Sequence, residues 1–131
     1  MNPVESVRIA LERLAPTQEK VDQAIHIAVE EAEPTRVFVF GSWARGAARW
    51  NSDLDLAVLV PDAAKSRIDL IRDNLRRRLD QLPMTVDLVL ATEGYAAGLG
   101  ESVNALFYQI FKEGKIVYER PNLQPGASTA D

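Results

Sequence analysis

Apolar residues recur at helical spacing in four stretches of the chain and form short β-type runs in four others, with proline or glycine at most junctions. Val4, Val7, Leu11 and Leu14 share one face of a first predicted helix, with Pro3 in its first turn and Asn2 as its cap. Pro16 interrupts that run. Thr17 then caps a second helix whose face is Val21, Ala24, Ile25, Ala28 and Ala32, and Pro34 ends it. RVFVFGS reads as a strand stopped by a glycine turn, and DLDLAVLV as a second strand closed by Pro61. Residues 65–82 give the clearest helix, with Ile68, Ile71, Leu75, Leu79 and Leu82 on one side and an Asp73–Arg77 pair opposite. Pro83 ends it before TVDLVLA, a third strand. Residues 101–112 place Val103, Leu106, Phe107, Ile110 and Phe111 on one stripe, Gly114 stops that helix, and KIVYE is a last short strand.

The order α-α-β-(turn or short helix)-β-α-β-α-(β) predicts an α/β (α+β) protein: a small mixed β-sheet with helices packed on it. It is not a Rossmann fold, because no Gly-x-Gly-x-x-Gly follows the first strand.

At 131 residues the chain suits one domain, assigned to residues 1–120, with PNLQPGASTAD at 121–131 as a disordered tail. A net charge of −4 argues against a general nucleic-acid binder, so no direct nucleic-acid binding is expected. The absence of cysteine excludes disulfides and thiolate metal sites. No apolar run approaches the roughly 20 residues of a membrane span. The N-terminal MNPVESVRIALERLAP lacks the basic flank and apolar stretch of a signal peptide, so a cytoplasmic protein without membrane attachment is expected.

The chemistry concentrates in GSWARGAARWNSDLDL, residues 41–56. Side chains alternate across a strand, so Asp53 and Asp55 face one way while Leu54 and Leu56 face the core. Two like charges that close repel each other unless something positive sits between them. A hard divalent cation such as Mg²⁺ suits the gap, because it takes oxygen ligands and shares them with substrate phosphates. Asp87, between Val86 and Leu88, repeats the arrangement in the third strand. If the two strands are neighbours, three carboxylates could hold two metals about 4 Å apart, the spacing that clamps an in-line phosphoryl displacement. Gly41 would expose backbone N–H groups to an anion, Ser42 would add a hydroxyl donor, and Arg45 would contact phosphate. Gly46 allows a backbone conformation closed to most residues.

Blander readings compete at each position. An EF-hand lacks its loop glycine and terminal glutamate after Asp53, and a P-loop would need Lys-Ser/Thr where Ala47-Ala48 stand. Asp87 alone could be a buried carboxylate paired with arginine, and Arg45 could simply neutralise Asp53 or Asp55. Trp43 and Trp50 flank the turn, where packing is the commoner use of an aromatic. The basic run Arg76-Arg77-Arg78 reads as a solvated helix face, and His26 has no companion ligands.

Gly41-Ser42, then Asp53-Leu54-Asp55-Leu56, then Val86-Asp87-Leu88 resemble the signature of the polymerase-beta-type nucleotidyltransferase superfamily. The form Gly-Ser-x-Ala-Arg-Gly and the short length look most like its minimal nucleotidyltransferases, many of them antitoxins paired with a HEPN ribonuclease toxin. The resemblance spans residues 36–118. It implies a polymerase-beta-like fold, Mg²⁺ held by Asp53, Asp55 and Asp87, and Ser42 on nucleotide phosphate. It further implies that Asp87 helps deprotonate the acceptor, that ATP is the donor, and that a HEPN-type toxin tyrosine is the acceptor. Two alternatives remain: a binding module that blocks its partner by contact, and a small-molecule nucleotidyltransferase of the aminoglycoside-modifying kind.

Overall fold

The computed structural model describes residues 2–12, 14–49, 52–98 and 101–121; Trp50 and, of the tail predicted at 121–131, residues 122–131 lie outside them. Helices α1 (Pro3–Glu12) and α2 (Gln18–Ala32) come first, and both begin at the expected caps. Asn2 Oδ1 accepts from the Glu5 amide at 2.8 Å, and Thr17 Oγ1 accepts from the Lys20 amide at 3.2 Å. Strand β1 (Arg36–Phe40) leads into a single helical turn, α3 (Gly41–Ala44). Strand β2 (Leu54–Val60), α4 (Ile68–Leu79), β3 (Val86–Thr92), α5 (Glu93–Ala96), α6 (Glu101–Glu113) and β4 (Lys115–Glu119) complete the chain.

The sheet runs β3-β2-β1-β4. β1 is antiparallel to both β2 and β4, whereas β2 and β3 are parallel, joined through α4. The mixed sheet and its helices match the sequence-based expectation. Strand alternation sorts the core into two layers. Val37, Val39, Leu54, Leu56, Val58 and Val60 pack with Val21, Ala24 and Ala28 of α2 and Leu75 and Leu79 of α4. Phe38, Ala57, Leu59 and Ala91 face the other way, against Ala96 of α5 and Phe107 and Ile110 of α6. Each fully buried leucine on these faces contributes about 1.5–3 kcal/mol over an exposed one. Among the described residues no helix is long and apolar enough to cross a membrane.

Several local expectations change. On α2 the buried position is Ile27, and Ile25 is only half-buried, because the sheet meets the helix slightly off the predicted stripe. The helix predicted over 65–82 starts as a 3-10 segment at Asp62–Arg67 and leaves the helical path after Leu79, ahead of Pro83. Val4 and Val7 of α1 are exposed at 77% and 58%, so at these two positions the apolar spacing does not mark core. Arg77 donates to Asn74 Oδ1 at 3.0 Å, one turn back, and makes no salt bridge with Asp73. The arginine run is not merely solvated. Arg78 bridges α4 to α2 through Glu30 and Glu31, each at 2.8 Å, and Arg76 donates to Asp80 and to the Val86 carbonyl. His26 lies on the surface, 3.2 Å from Glu30.

Candidate active site

The antiparallel register of β1 and β2 sets Phe40 opposite Asp55, and the parallel register of β2 and β3 sets Asp55 opposite Asp87. The C-terminal end of β1 and the N-terminal ends of β2 and β3 therefore meet at one end of the sheet. Asp55 and Asp87 lie on the face that carries Ala57 and Ala91, since all four alternate with the leucines and valines turned towards α2 and α4. Asp53 lies in the approach to β2, two residues before Asp55, and is exposed. Adjacent strands put the Asp55 and Asp87 backbones about 4.8 Å apart. Asp87 is exposed and makes no salt bridge among the described residues, which sets aside the reading of it as a buried carboxylate paired with arginine.

Gly41 has a tighter reason to be glycine than the exposure of an amide. Its φ is +71°, and a Cβ built on it would lie 2.0 Å from Asp55 Oδ2 and 2.9 Å from Asp55 Cγ. The Asp55 carboxylate therefore fills the space a side chain at residue 41 would need. Sequence reasoning missed this contact, and no local signal carries it, because it is made across the β1–β2 register. Ser42 follows, half-buried, and its carbonyl accepts from the Ala47 amide at 2.9 Å. Arg45 lies just past the turn, exposed, with its amide bonded to the Gly41 carbonyl at 3.2 Å. A helix of one turn has little dipole, so an anion here would be held mainly by Ser42 and Arg45. Gly46 shares φ +71° but has open space where its Cβ would go. Trp43 packs against the core cluster, as the blander reading had it.

The electrostatics bear the mark of clustered like charges. The Asp53 and Asp55 carboxyls are both pushed above the usual carboxylate range, first by desolvation, then by the charge of Asp87 and a hydrogen bond to it. Asp53 adds to the rise at Asp55, and the Arg45 charge opposes it. Among the described residues the three carboxylates are not gathered into a closed ligand set. Their donor chemistry, hard anionic oxygens with Arg45 as the counter-charge named at Asp55, fits Mg²⁺ better than any softer ion.

A family model described as "Polymerase beta, Nucleotidyltransferase" matches residues 22–122, which contain every one of these residues. The chain belongs to the polymerase beta nucleotidyltransferase family. Its four-stranded mixed sheet with flanking helices is that family's fold. A "putative protein adenylyltransferase" of Methanocaldococcus jannaschii is 34% identical over 89 residues, 66% of this chain and 59% of that protein. The chain thus spans 59% of the length of the curated relative it matches. Among solved structures, a toxin–antitoxin with AMP-PNP is 22% identical with a TM-score of 0.50, covering 82% of this chain and 81% of that one. A toxin–antitoxin MntA–HpeT structure is 18% identical with a TM-score of 0.47, covering 88% and 83%. At 22% identity the likeness to the first of these is one of fold.

Proposed function

We propose that the protein is a Mg²⁺-dependent nucleotidyltransferase that moves AMP from ATP to a protein hydroxyl, a tyrosine of a HEPN-type toxin, and so acts as an antitoxin. The observation that carries this is the meeting of Asp55 and Asp87 on adjacent strands, with Asp53 beside them and the Gly41-Ser42-Arg45 turn at the same end of the sheet. Bound at Asp53, Asp55 and Asp87, Mg²⁺ would supply charge neutralisation and polarisation of the α-phosphate. Ser42 and Arg45 would hold the triphosphate by donating to its oxygens. Asp87 would take the phenolic proton as the acceptor oxygen bonds to the α-phosphorus and pyrophosphate departs. The family match and the name of the M. jannaschii relative support the reaction, and the fold shared with a toxin–antitoxin structure holding AMP-PNP agrees with it.

The site is also shallow. Asp53, Asp87 and Arg45 are all exposed, so a macromolecular acceptor that brings its own walls suits it better than an aminoglycoside-sized one. The test is transfer from ATP labelled at the α-phosphate, with the γ-labelled form as control. Label on the partner from the α form alone supports the reaction, and none from either form refutes it. The binding-module reading draws on one observation, that the three carboxylates are not closed into a ligand set. Asp55→Asn protein that still neutralises the partner would favour it.

A further inference from the structure

β3 is a terminal strand of the sheet, and among the described residues no strand lies against its outer edge. The ladder fixes which groups point outward. The Leu54 amide donates to the Thr85 carbonyl, so in this parallel register Asp87, Val89 and Ala91 turn their peptide groups to β2. Val86, Leu88 and Leu90 turn theirs out. The Val86 carbonyl is covered, because Arg76 donates to it at 2.9 Å. Among the described residues no hydrogen bond is made to the outward N–H and C=O groups of Leu88 and Leu90.

A ridge of side chains runs beside this edge. Lys65, Ile68, Arg72 and Arg76 stand three or four residues apart along the 3-10 segment and α4. Arg76 reaches β3 at Val86, and at the other end Lys65, Ile68 and Arg72 join Leu90 and Tyr95 in lining an open cavity of about 280 Å³. Arg72 is paired with Asp69 and Arg76 with Asp80, through carboxylates that are 92% and 62% exposed. Exposed pairs of this kind are weak and exchange partners easily. Lys65 makes no salt bridge among the described residues.

We propose that the edge of β3 docks an extended, acidic segment of a protein partner, which adds to the sheet beside Leu88 and Leu90 and sets its carboxylates against Lys65 and Arg72. The outward amides and carbonyls recognise an extended backbone, which a small anion does not offer. The cations select an acidic segment, and Ile68 and Leu90 floor a space for one apolar side chain. A second copy of this chain fits poorly, because pairing two such edges would bring two basic ridges together. The proposal needs no nucleotide and stands apart from the carboxylate site.

The test is fluorescence anisotropy of the whole chain with a labelled peptide Thr-Glu-Thr-Val-Thr-Glu-Thr, whose two glutamates and valine share one strand face, beside its counterpart with lysine for glutamate. The acidic peptide binds, the basic one does not, and Lys65→Glu/Arg72→Glu weakens binding by about tenfold or more. Hydrogen exchange slows at the Leu88 and Leu90 amides when the acidic peptide binds. Leu90→Pro removes an outward N–H that β2 does not use, so it weakens binding more than Leu90→Ala, which loses the same side-chain packing but keeps that N–H. Absent or equal binding of the two peptides overturns the proposal. So does binding that leaves exchange at Leu88 and Leu90 unchanged, which would reduce the cations to a diffuse patch. A wild-type dimer abolished by Leu90→Pro also overturns it, since the occupant would then be a second copy.

Discussion

Gly41 and Gly46 offer a paired experiment, because both hold φ +71° and only Gly41 is crowded. Alanine at either position keeps the backbone strain of a left-handed non-glycine residue, about 1–2 kcal/mol. For a chain of this size that lowers the melting temperature by about 4–8 °C. At Gly46 nothing lies within 4 Å of the new methyl, so strain is the whole effect. At Gly41 the methyl starts 2.0 Å from Asp55 Oδ2. Ordinary contact needs about 3.5 Å, so the carboxylate must retreat by about 1.5 Å. A reacting group misplaced by about 1 Å slows an enzyme by about 100-fold. Gly41→Ala is therefore expected to lose at least about 100-fold in the rate of label transfer from α-labelled ATP, while Gly46→Ala stays within a few-fold of wild type. Thermal melts of both variants provide the fold control. The reasoning is falsified if the two variants transfer at the same rate, because the only difference it recognises between them is the Asp55 carboxylate.

Other consequences follow from the charges. Asp55 holds its proton to a higher pH in the folded protein than in the unfolded chain, so ionisation favours unfolding and metal-free stability falls as pH rises just above the ordinary carboxylate range. Asp55→Asn removes that penalty and melts above wild type at neutral pH without metal; a lower melting temperature would contradict the clustering. Glu93 has the opposite sign. Burial raises its carboxyl, but hydrogen bonds from Arg36 and Thr35 and the Arg36 charge outweigh that and hold it below the usual range. Its stabilisation is present at neutral pH and is lost as pH falls through the lowered pKa. Glu93→Gln is expected to cost about 1–2 kcal/mol at neutral pH in a chemical denaturation series, less than a fully buried pair, with the gap to wild type closing in acid. Arg45→Ala is expected to raise the KM for ATP by about tenfold with little change in melting temperature; an unchanged KM would leave Arg45 as a counter-charge to Asp55 alone.

The elements were legible where local chemistry sets them: Asn2 and Thr17 at helix starts, Pro34 and Pro61 at ends, and the alternation that turned Leu54 and Leu56 inward. The carboxylates were legible as a motif, but their meeting depended on β2 and β3 being neighbours, a fact of topology that the chain order leaves open. The clash that reserves residue 41 for glycine was out of reach for the same reason. The apolar spacing of α1 was legible as a pattern, but helical periodicity marks a face without naming what covers it, and Val4 and Val7 are exposed. The ridge from Lys65 to Arg76 was not read from the sequence, because only the position of β3 at the sheet's side gives it something to face.

The central claim is that these carboxylates transfer a nucleotide to a protein. Its most direct test is the intact mass of the protein encoded beside this one, co-expressed with the wild type and with Asp53→Asn/Asp55→Asn. The account predicts a gain of one or more AMP masses on a tyrosine with the wild type and none with the variant. An unmodified partner in both, recovered as a stable complex, would contradict it.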